Sequence, residues 1–108
     1  MGVVEIDIEE FARRHALGVR LVDVREPDEY TGGHVSGAVS VPLATVADRA
    51  GDIGPGDGPL YLICQAGGRS RRAAEHLASA GFDVVNVDGG TGGWIASGRD
   101  VVIGDEPA

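Results

Sequence analysis

The sequence predicts an α/β fold: a central, mostly parallel five-stranded sheet with helices on both faces. Three observations carry this expectation. Short runs rich in valine, leucine and isoleucine recur at residues 3–6, 19–24, 39–41, 60–63 and 84–87. The segments between them carry helix starts, helix stops or helical spacing of apolar residues. The runs at 60–63 and 84–87 are almost continuously apolar, the composition of parallel strands covered on both faces.

After the first strand, Asp7 is placed to cap a helix, and Glu10 three residues on completes the pattern of a reciprocal capping box. Ile8, Phe11 and Ala12 give this helix an apolar side, and Gly18 ends it. After the second strand, Pro27 suits a first helical turn and Asp28 and Glu29 complement its positive end, which predicts a short helix over 27–31. Residues 34–38 form a turn, Pro42 stops the third strand, and residues 43–50 make another short helix. Residues 51–59 hold four glycines and two prolines and read as a connecting loop. After the fourth strand, a helix from Ser70 carries Ala73, Ala74, Leu77 and Ala78 on one side and stops at Gly81. The fifth strand leads to a glycine-rich stretch with a brief helix around Trp94. Residues from about 100 onward, Gly104 to Ala108 above all, are expected to fray.

A length of 108 residues suits one domain with a modest core, and 43% hydrophobic with 24% charged residues is the balance of a soluble globular chain. No run reaches the length of a membrane span, and the segment from Met1 to Glu5 lacks the basic and apolar regions of a signal peptide. A cytoplasmic location without a membrane partner is therefore expected. The net charge of −8 argues against nucleic acid as a partner. All nine basic residues are arginine, which excludes lysine Schiff-base chemistry. A single cysteine provides no internal disulfide, no zinc cluster and no Cys-x-x-Cys pair.

That cysteine stands where three signals meet. The fourth strand ends on Cys64; a loop of Gln65, Ala66, Gly67, Gly68, Arg69 and Ser70 follows; a helix then opens with Arg71 and Arg72. In such a turn, main-chain N–H groups converge on one point and the helix N-terminus adds partial positive charge, so the segment reads as an anion cradle. A thiol there is drawn from about 8.5 toward the range of roughly 3.5 to 7.5, which makes Cys64 the candidate nucleophile. Three of the nine arginines cluster beside it in an otherwise acidic chain, pointing to a small anion or a partner that presents one. Parallel α/β sheets bind ligands at the carboxyl ends of their strands, where Cys64 falls.

The chain resembles the single-domain rhodanese family of thiosulfate or persulfide sulfurtransferases. Leu21-Val22-Asp23-Val24-Arg25 with Pro27-Asp28-Glu29-Tyr30 resembles one signature, and Gly33-His34-Val35-Ser36-Gly37-Ala38 with Val41-Pro42 a second. Cys64-Gln65-Ala66-Gly67-Gly68-Arg69-Ser70 resembles the active-site loop, and Gly81-Phe82, Gly89-Gly90 and Trp94 resemble the C-terminal signature.

The resemblance implies a rhodanese-like fold and a ping-pong reaction. Cys64 takes sulfane sulfur from thiosulfate or a persulfide donor and yields it to a thiophilic acceptor, cyanide in vitro or a protein or small thiol in the cell, with neither metal nor organic cofactor. Phosphatases and arsenate reductases of this fold use five residues between cysteine and arginine. Here four separate Cys64 from Arg69, a narrower ring that disfavours a tetrahedral oxyanion. Asp23 and Arg25 are supporting positions for which a structural ion pair is expected; His34 is expected to be hydrogen-bonded structure and Trp94 packing. Arg69 either meets substrate or braces the loop from outside, and Arg71 and Arg72 are expected as solvated helix charges. Glu26, Asp28 and Glu29 make the pocket mouth acidic, so thiosulfate is expected to bind weakly compared with a persulfide. The alternative function is a non-catalytic module of the same fold used for protein binding or regulation.

Overall fold

A computed structural model of the chain describes residues 2–54, 56 and 58–108. Strands β1 (Val4–Ile6), β2 (Arg20–Asp23), β3 (Val39–Ser40), β4 (Leu60–Ile63) and β5 (Val84–Val87) form one five-stranded sheet in the order β1-β5-β4-β2-β3. All four strand pairs are parallel, which requires crossover connections. Helices α1 (Ile8–Ala16), α2 (Pro27–Thr31), α3 (Val46–Ile53), α4 (Gly68–Ser79) and α5 (Gly90–Ala96) lie between and after the strands.

Successive side chains of a strand face opposite ways, and this builds two cores. Leu60, Leu62 and Cys64 pack with Val22 and Val84 against Val46 of α3 and Ala73, Ala74 and Leu77 of α4. Tyr61 and Ile63 pack with Leu21, Val85 and Val87 against Phe11 of α1, Tyr30 of α2 and Trp94 of α5. All four residues of β4, the middle strand, are buried, which explains its unalternating apolar run. Each large apolar side chain so covered contributes about 1.5–3 kcal/mol.

The register decides what meets Cys64. Asp23 of β2 lies opposite Ile63 of β4, so Arg25 comes level with Gln65 just past the sheet. On the other side, Asn86 of β5 lies opposite Leu62.

The structure departs from the sequence reading in several places. The capping box expected at α1 is half formed: the Glu10 N–H donates to Asp7 Oδ1 at 2.9 Å, but the Glu10 carboxylate turns to Arg13 and Arg14. The helix expected over 43–50 is a 3-10 turn, Leu43–Thr45, followed by α3, which continues to Ile53 because Ile53 packs on the core and Arg20 Nη2 donates to the carbonyls of Ile53 and Gly54. The loop expected over 51–59 thus begins only at Gly54, and its Pro55 and Asp57 lie outside the described residues, as does Met1. Helix α4 begins two residues before Ser70, with Gly67 at φ +118° as its N-cap.

The tail expected to fray is hydrogen-bonded to the body of the domain. Val102 pairs antiparallel with His34, the Gly104 N–H donates to Thr31 O at 2.9 Å, and the Gly37 N–H donates to Pro107 O at 2.9 Å. These partners are main-chain groups of a distant turn, which the tail's own composition does not reveal. Among the described residues, no helix is long and apolar enough to cross a membrane.

Candidate active site

Cys64 leaves the carboxyl end of β4 with 1% of its surface exposed, and its sulfur is surrounded by donors. The Gly67 N–H lies 3.1 Å from Sγ and the Ser70 hydroxyl 3.3 Å. The inward aim of the amides follows from what holds the carbonyls. The Thr91 N–H donates to Cys64 O at 2.8 Å, Gly92 N–H to Gln65 O at 2.9 Å and Gly89 N–H to Ala66 O at 3.1 Å. A planar trans peptide sends its C=O and N–H in opposite directions, so the outward hold on Ala66 O turns the Gly67 N–H toward the sulfur.

The start of α5 is therefore a backing plate for the loop, and it must come very close. A Cβ on Gly90, where φ is +58°, would stand 2.3 Å from Cys64 O, and one on Gly92 would stand 2.9 Å from Gln65 Nε2. This is the physical reason for glycine at the C-terminal signature. Sequence reasoning noticed these glycines but not their role.

Burial pushes the Cys64 thiol up. The Ser70 hydroxyl, then the N–H groups of Ser70, Gly67 and Ala66, together outweigh it and hold the thiol below its ordinary value. The N-terminus of α4 points its partial positive charge at the same place.

The Arg69 guanidinium pairs with Glu29, the contact that the bracing role open to it from sequence calls for. Its Nη1 and Nη2 donate to Glu29 Oε1 and Oε2 at 2.7 and 3.0 Å, tying α4 to α2. Glu29 also accepts the Glu26 N–H at 3.1 Å. The Arg69 guanidinium above all holds the Glu29 carboxyl down at about 2, against the opposing effect of burial.

Asp23 and Arg25 form the expected ion pair, fully buried, with Arg25 Nη2 to Asp23 Oδ2 at 2.8 Å and Nε to Oδ1 at 3.1 Å. Arg25 also reaches Gly33 O at 2.8 Å and Gln65 Oε1 at 3.4 Å, so the pair touches the loop at its first residue. His34 is structural: its ring stacks on Tyr30 at 3.7 Å between centroids, and its nitrogens lie 2.9 Å from Tyr30 O and 2.8 Å from Glu106 O. Both ring nitrogens face main-chain carbonyl oxygens within the protein. Trp94 is packing, edge-on to Phe11 and His15, with Nε1 donating to Asp100 O at 2.8 Å. Arg71 pairs with Glu5 and Glu75, and Arg72 lines an open groove with Arg69, Ala73 and His76 of α4 facing Leu43, Ala44, Val46 and Ala47.

One loop partner was missed. Asn86, read only as part of a buried strand, donates from Nδ2 to Gly67 O at 3.1 Å. The available signal was a single amide inside the apolar run Val84-Val85-Asn86-Val87.

A cysteine seated in main-chain donors at the end of the middle strand of a parallel sheet defines a class of anion-cradle α/β protein, and the comparisons narrow that class. The family model for the rhodanese-like domain matches residues 7–97, and the chain belongs to this family. The uncharacterized protein YqhL of Bacillus subtilis is 43% identical over 76 residues, 69% of this chain and 60% of that protein. The thiosulfate sulfurtransferase GlpE of Pseudomonas fluorescens is 40% identical over 80 residues, 71% of each chain. The chain thus spans less than two thirds of the length of the first of these relatives. The crystal structure of a rhodanese-related protein from Thermoplasma volcanium superposes with a TM-score of 0.84 at 28% identity, covering 93% of this chain and 98% of that one.

Proposed function

We propose that this chain is a rhodanese-type sulfurtransferase that carries sulfane sulfur on Cys64. The observation that carries this reading is the convergence of the Gly67 N–H and the Ser70 hydroxyl on Sγ, in a loop whose carbonyls are held from outside. In the first half-reaction the Cys64 thiolate attacks the outer sulfur of thiosulfate or of a persulfide. A bond forms between the two sulfurs, the donor's S–S bond breaks, and sulfite or a thiolate leaves with the electron pair. Cys64 is left as a persulfide whose negative charge sits on the outer sulfur.

The loop donors stabilise that charge as an oxyanion hole does, where loss of one donor costs about 10²–10³ in rate. In the second half-reaction a nucleophile attacks the outer sulfur, cyanide in vitro or a protein or small thiol in the cell, and Cys64 departs as the thiolate it began as. Storing the sulfur covalently divides one difficult transfer into two easier ones. The similarity to GlpE supports the activity class.

A persulfide is the better donor in this reading. Of the acidic residues at the mouth, only Glu29 is paired with the loop, through Arg69; Glu26 and Asp28 remain exposed charges that repel a small dianion. The four-residue spacing from Cys64 to Arg69 favours a single sulfur over a tetrahedral oxyanion. A purely binding module has no use for a set of donors aimed at a sulfur. Thiocyanate formation from cyanide and a sulfur donor, measured for the wild type and Cys64→Ser, tests the reading. Turnover lost in the variant supports it, and equal turnover, or none in either with any donor, rejects it.

A further inference from the structure

Ser70 is asked to do two things with one proton. Its Oγ lies 3.3 Å from Cys64 Sγ and 3.2 Å from Gly67 O, both of them acceptors when Cys64 is a thiolate. A hydroxyl has one hydrogen to donate. Whichever acceptor receives it, the other must be served by a different group.

Gly67 O has such groups. Asn86 Nδ2 donates to it at 3.1 Å and the Arg71 N–H at 3.1 Å. Asn86 is an unexpected residue for its place. It is 1% exposed in a strand otherwise made of valine, and its Oδ1 has no hydrogen-bond partner. An amide buried with half its capacity unmet is a poor way to stabilise a strand, because the unpaired acceptor offsets the bond its other end makes. The bond it does make falls on the one carbonyl that competes with the thiolate for Ser70.

We propose that Asn86 is a positioning residue that occupies Gly67 O so that the Ser70 hydroxyl donates to Cys64. It acts through Ser70 and touches neither sulfur nor substrate. Without it, one lone pair of Gly67 O stays with the Arg71 N–H and the other is freed; the Ser70 hydrogen turns to the freed one and the sulfur loses a donor. The proposal rests on Cys64 working as a thiolate.

The test reads thiol ionisation rather than sulfur transfer, so it can fail while the proposed function stands. The pH profile of Cys64 alkylation by iodoacetamide is measured for wild type, Asn86→Val, Ser70→Ala and the double variant. The other charges beside the loop are Arg69 with Glu29, Arg71 with Glu5 and Glu75, Arg72, the Asp23–Arg25 pair and Asp88, whose carboxylate borders Gly67; all are common to the four proteins. In Asn86→Val the midpoint rises by about half to one pH unit, which slows alkylation below the midpoint by roughly three- to tenfold. In the Ser70→Ala background the same change has little further effect, because no hydroxyl remains to be redirected. An unmoved midpoint in Asn86→Val, or an equal rise with and without Ser70, overturns the proposal, since a packing defect would act regardless of Ser70. Asn86→Leu, which shares asparagine's branching at Cγ, repeats the comparison if Asn86→Val fails to fold. In the wild type, NMR gives an independent reading. The Asn86 side-chain amide protons stay protected from solvent exchange in both the thiol and thiolate forms, and exchange at the rate of an exposed asparagine in either form overturns the proposal.

Discussion

Arg69 and Glu29, forty residues apart in the chain, form a two-bonded ion pair that fastens the start of α4 to α2, with N–O distances of 2.7 and 3.0 Å. The pair gives the guanidinium a protein partner beside the loop. Arg69→Ala and Glu29→Gln are therefore expected to slow sulfur transfer by similar factors, and the double variant to be no slower than the worse single, because each removes the same brace. Steady-state kinetics check this. A Glu29→Gln enzyme as fast as wild type beside a slow Arg69→Ala enzyme would instead assign the guanidinium to substrate.

The approach of α5 to the loop predicts a contrast between two glycines with positive φ. Gly90→Ala puts a Cβ 2.3 Å from Cys64 O, whereas Gly81→Ala meets nothing within 4 Å. The first is expected to cost more than about 3 kcal/mol and to abolish transfer; the second costs only the backbone strain of about 1–3 kcal/mol and leaves transfer intact in the folded protein. Urea unfolding with activity assays separates them. Equal losses at the two positions would show that the loop and α5 are not in contact.

The buried pair of Asp23 and Arg25 predicts asymmetric stability effects. Asp23→Ala leaves Arg25 charged and enclosed, and about 3–5 kcal/mol of stability is expected to go. Asp23→Leu combined with Arg25→Met removes both charges and is expected to cost much less. Its transfer rate falls all the same, because Arg25 no longer reaches Gln65 Oε1. Chemical denaturation and kinetics on the same samples check both halves.

The Cys64 thiol predicts a pH dependence with a definite sign. Burial raises the thiol but the Ser70 hydroxyl and the loop amides bring it below its ordinary value. A group depressed in the folded state contributes stability above its unfolded value, and the contribution is lost as pH falls through the folded value. The stability of wild type relative to Cys64→Ala is therefore expected to rise with pH between the two values and to be flat outside them. A difference that falls across that window would mean burial wins and the thiol is raised.

Much of the fold was legible because it depends on local pattern. Leu60–Ile63, Val84–Val87 and the helix from Pro27 to Thr31 match their expected limits, since buried apolar runs and a proline in the first turn declare themselves. The Cys64 loop was legible as a glycine-bearing turn between strand and helix. What was not legible depends on partners far along the chain: the carbonyl contacts from Gly89, Thr91 and Gly92, the choice of Arg69 for Glu29, the grip of Asn86 on Gly67, and the docking of residues 102–107 on the turn around His34. In each case the sequence offers a donor without naming its acceptor. Register between β4 and β5 places Asn86, and the packing of α2, α5 and the tail places the rest.

The most direct measurement of the central claim is the intact mass of the protein after exposure to a persulfide donor or thiosulfate, followed by exposure to cyanide. One added sulfur atom on the wild type, absent from Cys64→Ala and removed by cyanide with release of thiocyanate, is the expected result. A wild-type protein that gains no sulfur from either donor, or that gains it equally when Cys64 is replaced, would contradict the account.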